Sequence, residues 1–256
     1  MKSFIAFFKK EILESIRSGK ILILGAIFIL FGIMNPAIAK LTPWIIEVFS
    51  ESLAESGMIV GEVTVNALTS WTQFFKNIPM ALIAFVLIYA SIFTKEYEDK
   101  TLELILTKGI KRYKIVLSKL LLLICLWTLG YWICFMITYL YTGYFWDNSI
   151  ATGLVGASFN WWLFGLFVLC LVVFFSTLFN NYSTVLLGSG GVVVAMSVVS
   201  FIPKIATFMP TSLMNSSLLL IGSEALVDYI EATFIALTLM ICSIVFSIVL
   251  FNKKQI

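Results

Sequence analysis

The stretch ILILGAIFILFGIM, residues 21–34, decides the fold class of this chain because it is apolar on every face. A helix on the surface of a soluble protein has one polar face, and a strand of a membrane barrel alternates every second residue. The stretch LTLMICSIVFSIVLF, residues 237–251, has the same character. Both stretches therefore indicate helices that meet lipid or protein on all sides.

The composition places the whole chain in a membrane. Hydrophobic residues make up 61% and charged residues 12%, with a mean hydropathy of +1.03, which is outside the range of soluble domains. A helix needs about 20 apolar residues to cross a hydrocarbon core of about 30 Å. Six such runs predict an all-α polytopic integral membrane protein, a single domain over residues 1–256. The predicted spans are 21–39, 78–94, 120–141, 161–179, 184–203 and 232–251.

The distribution of Lys and Arg predicts the orientation. All but three of the 17 basic residues fall at the termini or in the 95–119 loop, the exceptions being Lys40, Lys76 and Lys204. Loops rich in Lys and Arg stay in the cytoplasm. We therefore expect a multi-pass protein of the cell membrane with both termini cytoplasmic.

Residues 1–20 predict an amphipathic elbow helix ahead of the first span. Its apolar face is expected to lie in the headgroup layer. An ordinary cytoplasmic lead helix and a secretory signal, with small residues at 37–39, are the alternatives, and Glu11 and Glu14 argue against the signal. The residues predicted to share the apolar face are Phe4, Ile5, Phe8, Ile12 and Ile16.

The predicted spans contain no charged residue, and the chain has no His. Ion-coupled transporters and proton pumps use ionisable groups near the midplane, so this absence argues against both classes. The four cysteines have no metal-ligand spacing, and we predict no metal site and no catalytic residue. A cargo path lined by such spans suits an apolar or amphipathic molecule.

The fifth predicted span contains GSGGVVVAMS, residues 188–197. Small residues four apart allow two helices to approach closely, so we predict helix packing at Gly188, Gly190, Gly191 and Ala195. The stretch lacks the Lys and the Ser or Thr of a phosphate-binding loop. Any ATP is therefore expected to be handled by another chain.

The most highly charged stretch is EYEDKTLELILTKGIKRYK, residues 96–114, which holds nine charged residues. It predicts a short helix capped at Thr101 and stopped by a left-handed Gly109. Leu102, Ile105 and Leu106 share one face, and so short a helix needs the bilayer surface or a partner protein to pack on. The basic residues that follow are expected to anchor the next span at anionic headgroups. They are Lys111, Arg112, Lys114 and Lys119.

This charged stretch resembles the loop between the second and third membrane helices of type-2 ABC transporter permeases. That loop runs E-x-E-x-(G/K)-T-L-E-L-L-L, followed by a Pro, a basic turn and a Lys. The matching residues are Glu96, Glu98, Thr101, Leu102, Glu103, Leu104, Leu106 and Lys119. Gly109 replaces the Pro, and in the family-like ending LFNKKQI, Gln255 replaces an acid.

The resemblance implies a permease subunit of an ABC exporter, whose short helix couples to a cytoplasmic ATPase. The residues implied in coupling are Glu96, Glu98, Thr101, Leu102, Glu103, Ile105, Leu106 and Gly109. Residues Asn180, Asn181, Tyr182 and Ser183 are either a second ATPase contact or a plain turn. ATP and Mg would be bound by the ATPase rather than by this chain, which would perform no bond chemistry.

The implied partners are the ATPase subunits, a second permease subunit, identical or paralogous, and the lipid bilayer, with no nucleic acid. The cargo is expected to be an amphipathic peptide or a lipid-like molecule. The alternative is a membrane anchor or assembly factor that recruits a cytoplasmic protein without transport. The outer segments 40–76 and 204–231 fit either interfacial anchoring by aromatic residues or a lid over the path.

Overall fold

The computed structural model describes residues 2–55, 64–107 and 109–254, and none of these residues lies in a strand. Lys108, residues 56–63 of the segment predicted to lie outside, and Gln255 are not among the described residues. Short 3-10 segments, Asn148–Ile150, Pro210–Ile221 and Leu226–Tyr229, join some of the helices. The α-helices are α1 Lys2–Arg17, α2 Lys20–Glu55, α3 Ala67–Tyr89, α4 Ser91–Glu98, α5 Thr101–Thr107, α6 Arg112–Phe145, α7 Leu154–Leu178, α8 Tyr182–Val199, α9 Pro203–Ala206 and α10 Ile230–Lys253.

Among the described residues, six helical stretches are long and apolar enough to cross a membrane, which confirms the predicted fold class. The six stretches are Lys20–Phe49, Ala67–Glu98, Arg112–Phe145, Leu154–Leu178, Tyr182–Val199 and Leu226–Lys253. Most extend past the predicted runs, because a helix continues through polar residues at the headgroup layer, where the hydropathy signal stops.

The fifth predicted span, 184–203, is wrong at its end. Helix α8 stops at Val199, and Ile202 is extended, with φ −87° and ψ 108°. The ring of Pro203 disfavours a helical conformation for the residue before it, and Pro203 then occupies the first turn of α9. The apolar character of residues 200–203 concealed this stop.

Helix α7 lies at the centre of the bundle, and most of its residues are buried. Its Gly165 faces the indole of Trp127 so closely that a Cβ there would meet the ring at 2.2 Å. The Trp127 indole donates a hydrogen bond to the Trp162 carbonyl at 3.1 Å, and the Tyr131 hydroxyl donates to the Ser158 carbonyl at 2.7 Å. Because lipid is as apolar as the helices, such close packing and hydrogen bonding hold membrane helices together.

A buried polar chain joins α2, α3 and α6. The Asn77 amide donates to the Asn35 side-chain oxygen at 2.8 Å, and the Asn35 amide donates to the Thr138 hydroxyl at 3.2 Å. The Thr138 hydroxyl donates to the Gly32 carbonyl at 3.1 Å. These bonds fix the relative register of the three helices.

The segments 40–76 and 204–231, predicted to lie outside, are largely helical where the structure describes them. Helix α2 continues beyond the first predicted span, through residues 40–55. The segment Pro210–Ile221 packs against the start of α7, where the Trp161 indole donates to the Met214 carbonyl at 2.9 Å. Leu213 and Leu219 are buried there. This segment is therefore part of the folded body at that end of the bundle.

Helix α1 packs against α2 and α6, with Phe7, Glu11 and Ser15 buried. Of the predicted apolar face, Ile5 and Ile16 remain exposed on the other side. Phe8 and Ile12 of the same face pack, partly buried, against the core. The predicted face is therefore divided between the bundle and the exposed side, where an interfacial helix would meet lipid.

Candidate functional site

The short helix α5 is held between two residues with left-handed backbone. Lys100, which separates it from α4, has φ 53°, and Gly109 has φ 77°. The Gly109 amide donates to the Leu106 carbonyl at 2.9 Å, so the predicted left-handed Gly stop is present. Thr101, predicted as the cap, is instead the first residue of the helix, and Lys100 precedes it. The two left-handed residues set the direction in which α5 leaves the bundle.

The apolar face of α5 packs on the protein itself. Leu102 is fully buried in the same core as the spans, and Ile105 and Leu106 pack partly buried against it. The expectation that this face would need the bilayer surface or another protein is therefore wrong for Leu102, because α4 and the core already cover it. Leu102 can support a contact only by holding the helix.

The other face of α5 is open. Thr101, Glu103 and Thr107 are exposed, and the Leu104 side chain is 64% exposed although it is apolar. Glu98 at the end of α4 is also exposed. A charged face with one projecting leucine is the surface that α5 offers to another molecule.

Glu96 is buried within the chain rather than exposed beside α5. Its side chain belongs to α4 and is 6% exposed. The Lys10 ammonium lies 2.6 Å from Glu96 Oε1, and Lys119 Nζ lies 3.0 Å from Glu96 Oε2, an ion-pair contact without hydrogen-bond alignment. Direct contact of Glu96 with a partner is thus ruled out by its burial, and its role here is to tie α4 to α1 and α6.

Lys119, predicted to anchor α6 at headgroups, is instead buried, with 2% of its side chain exposed. Its ammonium donates to Glu11 Oε2 at 2.9 Å and to the Ile92 carbonyl at 2.8 Å. The ring of Phe93 lies 5.2 Å from the same ammonium. A desolvated Lys is tolerated only when it is paired in this way, so Lys119 joins α6 to α1 and α4.

The ion cluster of Lys10, Glu11, Glu14, Glu96 and Lys119 extends to the surface of α1. Lys10 Nζ lies 2.9 Å from Glu11 Oε1 and 2.8 Å from Glu14 Oε2. Burial disfavours the Lys10 ammonium, but the charges of Glu96 and Glu11 outweigh it and raise its pKa. Burial likewise opposes ionisation of Glu14, but the hydrogen bond from Lys10 prevails and lowers its pKa. Lys10 and Glu14 therefore favour their charged forms.

The cluster includes three carboxylates whose oxygens lie within 4.8 Å of one another, those of Glu11, Glu14 and Glu96. The ammonium groups of Lys10 and Lys119 lie between them and supply two positive charges. We assign no metal to this cluster.

Two further residues predicted to anchor α6 contact protein instead. The Arg112 guanidinium donates to the Phe251 carbonyl at 2.8 Å, and the Lys114 ammonium donates to the Ser3 hydroxyl at 2.8 Å. The open carbonyls at the end of α10 attract Arg112. Lys111 is exposed, and its contact with headgroups stays a prediction.

The loop between α7 and α8 exposes Asn180, Asn181 and Ser183. Tyr182 turns back, and its hydroxyl donates to the Leu87 carbonyl in α3 at 2.8 Å. Three of the four residues proposed as a second contact are thus available, and Tyr182 holds the loop in place.

The small residues of α8 divide between two environments. A Cβ at Gly188 would meet the ring of Phe175 at 2.5 Å, so this glycine allows α8 to approach α7. A Cβ at Gly190 or Gly191 would have no neighbour within 4 Å, and Ala195 is exposed. Within this chain, the predicted close packing occurs only at Gly188.

An apolar cavity of about 370 Å³ opens between α3, α7 and α8. Most of its lining is aliphatic or aromatic, and Ser189 and Gly190 of α8 lie at its wall. Met214 of the segment Pro210–Ile221 also lines it. The cavity has the size and chemistry of a site for an apolar group of a small molecule.

Comparison with known proteins decides the family. The model of the ABC-2 family transporter protein matches residues 5–256, almost the whole chain. The chain belongs to the ABC-2 transporter family. A search of curated proteins found no match.

Membership of the ABC-2 family confirms the resemblance read from the 96–119 loop. It makes the chain a membrane component of a transporter, of a kind that is typically non-catalytic and that generally associates with ABC ATPases.

Sequence reasoning missed that Glu96 and Lys119 of this ABC-2 chain contact each other, and that both also pair with charged residues of α1. Both residues belong to the family motif, but the motif does not reveal that the two side chains lie next to each other. The only signal was the presence of Glu11 and Glu14 in an otherwise basic amino-terminal helix.

Proposed function

We propose that this chain is the permease subunit of an ATP-driven exporter, with α5 as the element on which a cytoplasmic ATPase acts. The observation that carries the proposal is the way in which α5 packs on the rest of the chain. Its inner face is locked into the core through Leu102, while its outer face presents Glu103, Leu104 and Thr107. A rigidly mounted helix with an open contact face can transmit a push, since packed elements move as units.

The proposed assembly contains two permease subunits and two ATPase subunits, with both termini on the ATPase side. ATP and Mg bind in the ATPase, and closure of the ATPase pair displaces α5. The ion cluster ties α5, through α4, to α1 and α6, so these helices move together. The Asn180, Asn181 and Ser183 loop provides a second, smaller contact.

The cargo that we propose is an amphipathic peptide or lipid-like molecule. The apolar cavity between α3, α7 and α8 supports this, because its lining holds no charged side chain among the described residues. An apolar portion of the cargo would occupy the cavity, and the polar portion would remain in water or at the headgroups.

Affinity purification tests the ATPase contact. The tagged chain, expressed at its native level, is expected to bring down a protein with phosphate-loop motifs. Leu104→Asp places a charge at the centre of the proposed contact and is expected to abolish this association. Val227→Asp is the matched control, since Val227 is also exposed and apolar but lies before α10, at the opposite end of the bundle.

Retention of the ATPase by the Leu104→Asp variant would contradict the contact. The membrane anchor would be supported instead if the ATPase copurifies with the wild type and its rate of ATP turnover is the same with the Leu104→Asp variant. Loss of the ATPase in both variants would point to general damage, which gel filtration of the purified variants identifies.

A further inference from the structure

Lys254, just after α10, contacts two other parts of the chain. Its ammonium donates to the Thr177 carbonyl at 2.9 Å and to the Leu178 carbonyl at 3.4 Å, both at the end of α7. The same nitrogen lies 4.1 Å from the centroid of the Tyr97 ring in α4. One side chain thus joins the end of α7 to the segment that carries α5.

Arg112 holds the end of α10 next to this contact. Its guanidinium donates to the carbonyls of Phe251 and Lys254. The rings of Phe93 and Phe251 lie edge to face, with centroids 5.6 Å apart. The end of α10 is therefore fixed between α4 and the start of α6, and this fixes the backbone from which the Lys254 side chain extends.

The partners of Lys254 are suited to a cation. The last carbonyls of a helix have no partner within the helix and carry partial negative charge, and the face of a Tyr ring also attracts cations. In the part of the chain that the structure describes, no carboxylate pairs with Lys254. Burial lowers the pKa of its ammonium to about 8, so the side chain is cationic at neutral pH. The titratable group that faces the ammonium is the Tyr97 phenol from α4, whereas the Arg112 guanidinium from α6 contacts the Lys254 backbone carbonyl.

We propose that Lys254 is a positioning residue that fixes the spacing between α5 and the loop at 179–181. A displacement of α5 would then reach the ends of α7 and α10 together. Tyr182 ties the other side of this loop to Leu87 in α3, and on the side of α4 Lys254 adds a polar link to the direct packing of α4 on α7 and α8. The source of the displacement rests on the proposed function, whereas the spacing is a property of this chain alone.

Distance measurement between two spin labels tests the spacing in the full chain, reconstituted in lipid nanodiscs. Thr107→Cys and Ser183→Cys provide exposed labelling sites on α5 and at the start of α8, directly after the loop. Cys125 and Cys242, the two thiols that are not buried, are replaced by Ala. Pulsed dipolar spectroscopy then compares Lys254→Gln and Lys254→Arg with the unsubstituted residue.

Loss of the cation in Lys254→Gln is expected to add a second, longer-distance population. Arg keeps the charge, so Lys254→Arg is expected to retain the single population. Lys253→Gln, an exposed neighbour, is the matched control and is expected to change nothing.

A second label pair separates this link from general loosening. The spacing between Lys9→Cys and Thr107→Cys depends on the ion cluster and is expected to stay the same in Lys254→Gln. An unchanged 107–183 distance in Lys254→Gln, or an equal change in the 9–107 pair, would overturn the proposal. The measurement needs no ATPase, so its failure is distinct from a failure of the co-purification.

Discussion

At the scale of single residues, Leu102 and Leu104 of α5 show how differently two nearby leucines can be placed. They have the same side chain two positions apart, yet Leu102 is fully buried and Leu104 is 64% exposed. The family motif contains both and does not distinguish them. Which of the two faces outward follows from the left-handed turn at Lys100, which a sequence pattern does not reveal because non-Gly residues rarely adopt it.

Lys100 and Gly109 give a matched pair of substitutions with opposite signs. Gly109→Ala is expected to destabilise the protein by about 1 kcal/mol, because a Cβ is disfavoured at φ 77°. No atom lies within 4 Å of that Cβ, so the effect is purely conformational. Lys100→Gly relieves the same strain and is expected to stabilise by up to about 1 kcal/mol. Thermal unfolding in detergent measures both, and a lower midpoint for Lys100→Gly would contradict the account.

At the scale of elements, the joint between α1, α4 and α6 depends on buried charge. Replacement of one member leaves its partners unpaired in a desolvated site. Lys119→Met is therefore expected to destabilise the protein by about 3–5 kcal/mol. Lys111→Met, at an exposed position next to the start of α6, is expected to change stability by less than about 0.5 kcal/mol. Equal thermal midpoints for the two variants would show that Lys119 is not in a buried pair.

The docking of α1 is expected to weaken in acid. Glu14 has a lowered pKa in the folded protein, so its contribution is present above the ordinary value of 4.5 and is lost as the pH falls through the lower folded value. Lys10 has a raised pKa, and its contribution is lost only in strong base. A fluorophore at Lys9→Cys is expected to gain mobility, measured as lower anisotropy, when the pH falls from about 7 to about 3.5. A response of the same size with Glu14→Gln would contradict the role of this carboxylate.

At the scale of the whole molecule, two adjacent glycines of α8 allow a test of whether the apolar cavity between α3, α7 and α8 binds an apolar molecule. Gly190 lines the cavity, whereas Gly191 does not, and a Cβ at either would meet no atom within 4 Å. Gly190→Trp is expected to fill the cavity and to abolish crosslinking of a photoreactive diazirine fatty acid to the Met214 peptide. Gly191→Trp is expected to retain it. Crosslinks at Met214 that persist in Gly190→Trp, mapped by mass spectrometry, would exclude the cavity as the binding position.

The sequence by itself determined the membrane class, the six helices and the short helix at Thr101–Thr107. These follow from the uniform hydrophobicity of long runs and from local chemistry such as the glycine stop, which depend only on residues close in the chain. The ABC-2 family was also readable from the 96–119 loop.

The tertiary structure alone decided what each polar residue at the α5 end of the bundle contacts. Glu96 and Lys119 read as a contact residue and a headgroup anchor, yet both are buried in one ion cluster with α1. Lys254 read as part of a basic tail, yet it reaches the end of α7. The physical reason is that pairing depends on which helices lie side by side, and residues 86 or 108 positions apart, as in the Lys10–Glu96 and Glu11–Lys119 pairs, leave no periodic signal in the sequence.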